Sequence, residues 1–412
     1  MNRHVLVIGA GIVGVSTAIW LRRAGVQVTL VDRKGPGEGT SHGNAGILAS
    51  AAVVPVTTPG LLRKAPGYLL NPNVPLFLRW LYLPKLAPWL LQFMRNANDS
   101  DTRRISRALT PLIGDSVDQH KALVAEIGLQ HWVTESDYCF AYESAAVFDA
   151  ENYTWALRRD AGFEPELIAG EDVRDYEPNI SKRIKLIAAV KEHGFIRDPG
   201  GYVRALADAF VQMGGTLRQA EITDFDLSGG RVQGVETTTG RIDCDDAVLA
   251  SGVWSKPLMQ KLGLDVPLDT ERGYHVIYED ASGGPVRPTM VASGKFVATP
   301  MAQGLRCAGI VEFGGLNPRL SKAPLALLRR KARETFPNLH ATAEVEWLGF
   351  RPSTTDSLPL IGQIGETRVF AAFGHQHIGL TGGPKTGRLI AGLVTGQPLN
   401  TDVAPYAPQR FS

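Results

Sequence analysis

Apolar residues follow two different rhythms along this chain. Val5–Ile8 is an unbroken apolar run rich in β-branched residues, the pattern of a short strand buried on both faces. From Ile12 to Leu21 the apolar positions fall at helical spacing, Gly25 follows as a helix terminator, and Val26–Val31 is a second strand-like run. Far downstream the same alternation returns. Asp245–Leu258 reads as a buried strand ending in a glycine turn, and Val369–Gly396 as a strand, a glycine-rich loop and a helix. Arg388–Val394 carries that helix's apolar spacing and Gly396 ends it. Strands alternating with helices predict an α/β fold around a parallel sheet.

Length and composition narrow the class. At 412 residues the chain has room for two domains, or for one α/β body with a second domain inserted. A net charge of +2 lacks the basic excess of a nucleic-acid-binding protein, so no nucleic-acid partner is expected. The cysteines, Cys139, Cys244 and Cys307, are odd in number, far apart and outside any Cys-x-x-Cys spacing, which argues against a disulfide framework or a zinc site. A cytoplasmic setting is expected. The apolar N-terminal run is interrupted by glycines at fixed offsets and leads to no small-residue cleavage site, so it is read as neither signal peptide nor span.

Those offsets carry chemistry. Gly9, Gly11 and Gly14 make G-x-G-x-x-G between the first strand and the helix. The first glycine permits a tight turn, the second lets backbone approach a pyrophosphate, and the third lets helix and strand pack closely. The helix start then faces the phosphates with free N–H groups and a partial positive charge. Asp32 closes the second strand, where a carboxylate accepts hydrogen bonds from an adenosine ribose. The motif alone is weak, but inside strand–turn–helix–strand–acid it is strong. It marks a dinucleotide without choosing between NAD and FAD.

Four stretches decide between them: Gly9–Gly14 with Asp32, "SHGNAG" at 41–46, "GFRPSTTDSLPLIG" at 349–362, and "GHQHIGLTGGPKTG" at 374–387. Together they resemble the D-amino-acid oxidase/dehydrogenase superfamily of FAD enzymes over nearly the whole chain. "SHGNAG" and the following "VVPVTTPG" look most like its bacterial D-amino-acid dehydrogenase branch. The resemblance implies a Rossmann-type FAD-binding domain built from 1–52, 146–262 and 345–412, with an α+β substrate domain from 263–344 and part of 53–145. Strands at Tyr274–Tyr278 and Lys295–Thr299 would belong to the latter.

It also implies non-covalent FAD, since no cysteine falls in the "GFRPSTTD" stretch. The first glycines would hold its ADP half and the last glycines its flavin end. Contacts are implied for Gly9, Gly11, Ile12, Val13, Gly14, Asp32 and Arg33. Further ones fall on Ser41, His42, Asn44, Ala45, Gly46 and Leu48, on Gly252 and Trp254, and on His375, Gly379, Leu380 and Thr381.

The implied reaction is oxidative deamination of a D-amino acid or a cyclic imino acid such as D-hydroxyproline, by hydride transfer from Cα to the flavin. Electrons would pass to an acceptor other than O₂, such as a respiratory quinone. Three other readings stay open: an O₂-using glycine or sarcosine oxidase, an L-2-hydroxyacid dehydrogenase, and a flavoprotein subunit without turnover. A guanidinium matches a substrate carboxylate bidentately, and Arg351 in "GFRP" stands where the family's clamp stands. In "ERGYHVIY", Tyr274 and His275 alternate faces, so one of them points into the pocket, with Tyr274 preferred. His377 occupies a slot near the flavin where glycine oxidase has arginine, and His375 is expected to position the loop. Residues two apart in a strand and without an acidic or cysteine cluster are not a metal site.

Pro75–Met94 is unusually apolar and aromatic, but Arg79, Lys85 and three prolines exclude an ordinary span. Two placements are open: an interfacial helix in peripheral contact with the inner face of the cytoplasmic membrane, or a helix pair packed against the FAD domain.

Overall fold

A computed structural model describes residues 3–411 apart from 62, 64–66, 68–72 and 74. Two large sheets meet in it. The first has six strands in the order Leu360–Gln363, Val369–Phe373, Asp246–Leu249, His4–Ile8, Gln27–Asp32, Thr216–Gln219, parallel throughout except for Leu360–Gln363. The unbroken apolar run at Val5–Ile8 reflects its central place. Val5 and Val7 enter the core on one face, Leu6 and Ile8 the core on the other. A three-stranded antiparallel meander, Ile222–Asp226, Gly234–Thr237 and Ile242–Asp243, stands beside it.

The second sheet has ten strands. Its pocket strand, Leu268–Glu279, lies between Ala343–Thr354 and Gly304–Phe313 and is antiparallel to both. The stretch 146–195, expected in the FAD domain, instead contributes Glu166–Ala169 and Leu186–Phe195 to this sheet, the latter paired with Thr134–Tyr142. Asp245–Leu258 also differs from expectation. The strand is short, Asp246–Leu249, and Ser255–Lys261 is helix.

The C-terminal helix spans Gly379–Thr395, starting well before the expected Arg388 and absorbing most of the glycine-rich loop. Its glycines serve close packing. A Cβ on Gly387 would stand 2.6 Å from Thr17 N, and one on Gly383 would stand 3.0 Å from Ile12 Cγ1. The helix thus lies backbone to backbone on Ile12–Arg23. Pro384 inside it has no N–H to give the Leu380 carbonyl. His120 Nε2 donates to that carbonyl instead at 2.9 Å, while its Nδ1 accepts from Tyr202 Oη at 3.0 Å. Burial lowers the His120 pKa to about 4, keeping the ring in the neutral tautomer this arrangement needs.

Pro75–Met94 packs on the ten-stranded sheet rather than on the FAD domain. Leu76–Leu78 pairs with Val311–Phe313, and helix Leu83–Arg95 buries Leu86, Trp89 and Phe93 against Phe313. Trp80 and Leu81 at the helix entry and Leu91 on its outer side stay exposed. Among the described residues no helix is long and apolar enough to cross a membrane.

Candidate active site

A cavity of about 720 Å³ runs between the two sheets, within the roughly 300–1,000 Å³ typical of ligand pockets. Gly9, Gly11, Ile12 and Val13 line it, together with Asp32, Arg33, Ser41 and Asn44. Gly252, Trp254, His375, Gly379 and Leu380 complete the expected residues on its wall.

Local geometry explains the glycines. Gly9 has φ +104°, a conformation open to glycine, and a Cβ there would stand 2.7 Å from Ala250 O. A Cβ on Gly14 would stand 1.8 Å from Gly9 O, so this position is reserved for packing and does not line the cavity. At Gly11 the nearest obstacle is Ser41 Oγ, 3.3 Å away, and the rest is open space. The helix that starts at Ile12 has no acid in its first turn, and its first N–H donates to Ser41 Oγ at 3.1 Å, so Ser41 fixes the helix start beside the cavity while the N-terminal dipole still favours an anion there. Asp32 accepts from Ala10 N and Lys34 N, both at 2.8 Å, so its carboxylate shapes the turn while bordering the cavity.

Several expected contacts lie behind the wall. Leu48 is fully buried in a strand pairing with Gly194–Phe195, Ala45 packs in a neighbouring core, and Gly46 forms a turn under Ile196 O. Thr381 Oγ1 reaches Ile47 O and Ala49 N, both at 3.3 Å. His42 presents its carbonyl to Arg306 Nη1 at 3.1 Å, and Asn44 O accepts from the same nitrogen at 2.5 Å. Arg306 thus pins the "SHGNAG" loop from the ten-stranded sheet, a role no sequence motif announced. Its sequence signal was a single arginine in the otherwise small and apolar run Leu305–Val311.

The pocket strand settles the question of faces, and it reverses the preference for Tyr274. Tyr274 Oη donates to Glu312 Oε2 at 2.7 Å and accepts from Arg272 Nη2 at 2.9 Å, within a core under helix Lys322–Thr335. His275 faces the other way, with Nδ1 3.1 Å from Gly43 O and its ring stacked on Trp347 at 4.9 Å. Glu271 and Gly273 share the His275 face, opposite Arg351 and Gly349 in register. The Arg351 guanidinium lies over Gly273, where a Cβ would stand 2.7 Å from Arg351 Cζ. Burial lowers the Arg351 pKa while the Glu271 charge opposes that shift.

His377 is exposed on the loop before the C-terminal helix, with protein packed around its base. Burial, with Arg351 adding to it, lowers its pKa to about 4. His375 is buried against Thr386 Oγ1 at 2.9 Å, its pKa lowered to about 3 by burial. The Arg351 charge acts on both His275 and His377, so the three lie near one another. They adjoin the cavity where Trp347, Pro352 and Gln376 line the wall.

The residues present fit an FAD: the cavity is lined by a glycine turn and a helix start, by the Asp32 carboxylate, and by His375 and Gln376 from the C-terminal loop. The family model for FAD dependent oxidoreductases (DAO) matches residues 4–393. The chain belongs to this family. It is 39% identical to a D-amino-acid oxidase of Bradyrhizobium diazoefficiens, over 100% of this chain and 99% of the relative. A D-amino acid dehydrogenase of the same organism is 30% identical over 99% of each chain. Among solved structures, glycine oxidase from Geobacillus kaustophilus superposes with a TM-score of 0.76 at 20% identity, covering 99% of both chains. L-proline dehydrogenase from P. horikoshii gives 0.76 at 19% identity, covering 100% of this chain and 98% of that one. The six-stranded sheet is thus the Rossmann-type FAD-binding domain of an FAD-dependent oxidoreductase.

Proposed function

We propose that this flavoenzyme oxidatively deaminates a D-amino acid or a cyclic imino acid such as D-hydroxyproline, and that it holds FAD non-covalently. The observation carrying the substrate class is Arg351: a half-buried guanidinium, free of ion pairs among the described residues, between the cavity-lining Phe350 and Pro352. Such a group takes a carboxylate in two parallel hydrogen bonds. Neutral His275 and His377 beside it add no competing charge. When bound, FAD accepts the hydride equivalent from the substrate Cα. The chain's task is to bind the carboxylate, aim Cα and exclude water.

An acceptor other than O₂, such as a quinone, is the first reading of the electron's destination. Use of O₂ is the second, favoured by the 39% identity to a protein named an oxidase. Anaerobic mixing of the yellow protein with D-amino acids, D-hydroxyproline, sarcosine and 2-hydroxyacids tests the substrate class, because bleaching by an amino or imino acid is the expected result. Bleaching by hydroxyacids alone would replace it. Rapid recolouring in air would select the oxidase.

A further inference from the structure

Glu271 has a place beside the site but no role in the reaction described so far. It is 6% exposed and stands opposite Arg351 in register, yet the two make no ion pair. They diverge along the sheet. The guanidinium leans over Gly273, whereas the carboxylate turns the other way and takes a hydrogen bond from Ser353 Oγ at 2.9 Å. Ser353 in turn accepts from Gln376 Nε2 at 2.9 Å. Gln376 lines the FAD cavity and holds φ +48°, a conformation that costs a non-glycine residue on the order of 1 kcal/mol and clusters at ligand sites. Two opposite charges thus share one face, each held away from the other.

We propose that Glu271 anchors the substrate's cationic amino group while Arg351 anchors its carboxylate. The inference rests on the amino-acid reading above and adds a second contact point to it. Directly paired residues on adjacent strands have backbones about 5 Å apart, and with the two side chains leaning in opposite directions an amino-acid zwitterion with a hydrogen bond at each end bridges the gap between their charged groups. Burying a carboxylate this deeply is costly, the Arg351 charge offsets only part of that cost, and the substrate's ammonium supplies a further cation. Burial raises the Glu271 pKa against the pull of Arg351, consistent with a carboxylate whose counter-charge arrives with the ligand. Two charges fixed in a line also orient Cα between them, and they discriminate against 2-hydroxyacids, which lack the cation.

The test compares an amino acid with its deamino analogue on FAD-loaded Glu271→Gln: D-alanine against propionate, and D-proline against cyclopentanecarboxylate. KM and the half-reduction concentration of the amino acid should rise at least tenfold. The Kd of the plain carboxylate, read by calorimetry and flavin absorbance, should fall, because a repelling charge has gone. Parallel weakening of both ligands, or no change in either, overturns the proposal. Glu271→Asp supports the same test if the glutamine variant loses FAD. Carboxylate affinity should then stay put while the amino-acid KM rises, and a joint loss again overturns it. Wild-type enzyme that binds propionate but is reduced only by 2-hydroxyacids would defeat the amino-acid reading instead, before any variant is made.

Discussion

Gly273→Ala isolates the position of the Arg351 guanidinium from everything else. An added Cβ would stand 2.7 Å from Arg351 Cζ and 2.8 Å from Nη2, against 3.4 Å or more for ordinary contact, so the guanidinium must retreat by about 0.7 Å. It is the far end of a flexible side chain, and Gly273 has extended backbone within the pocket strand, so the fold survives. Alanine is intrinsically better than glycine in a strand by roughly 0.5–1 kcal/mol, which leaves Tm unchanged or slightly higher. A misplacement near 1 Å at a positioning group costs up to about 100-fold in rate. The expectation is a protein that is yellow and stable, with kcat/KM for its amino-acid substrate down roughly 10- to 100-fold, and with weakened binding of a plain carboxylate inhibitor. Flavin content, Tm and steady-state kinetics on one preparation check it. An unchanged kcat/KM and inhibitor Kd in a properly loaded protein would refute the placement of the clamp over Gly273.

Other outcomes follow from the same geometry. Gly11→Val should fold, because its nearest protein neighbour is one flexible hydroxyl 3.3 Å from the new Cβ, yet purify without flavin absorbance. Retention of FAD would remove Gly11 from the cofactor's path. Arg351→Ala should keep its flavin spectrum and lose about 2 kcal/mol or more of carboxylate binding, read as a rise in KM. Acid should destabilise the fold through buried histidines. His120, His275 and His375 have pKa values lowered from 6.5 to about 4, 3 and 3, so below pH 6.5 the unfolded chain takes up protons that the folded chain refuses. Each such group costs the folded state about 1.4 kcal/mol per pH unit in that window until its own pKa is reached. Tm measured by circular dichroism should therefore drop steeply from pH 6.5 towards pH 4, and a flat profile would contradict neutral burial.

The N-terminal unit was legible because its signals are local. Strand, glycine turn, helix and strand each depend on near neighbours, and the observed elements His4–Ile8, Ile12–Arg23 and Gln27–Asp32 match the expected ones to within two residues. The glycines at 382–387 misled for the same reason. A glycine-rich run reads locally as a loop, but its cause here is another helix, Ile12–Arg23, more than 350 residues away in sequence, whose approach allows no Cβ at Gly387. A helix through Pro384 is likewise tolerated because His120 supplies the missing donor from a separate element.

Alternation along "ERGYHVIY" was plain from the sequence, but its phase was not. Pairing with Ala343–Thr354 on one side and Gly304–Phe313 on the other, with an irregularity between Tyr274 and His275, fixes which face meets the core. That choice sends Tyr274 to Glu312 and brings Glu271 beside Arg351. The amino-acid sequence by itself determined the dinucleotide turn and the family, and it singled out Arg351. Only the tertiary structure decided which side chains meet at the site, because long-range strand register, unlike helix or turn propensity, leaves no mark in any short window of residues.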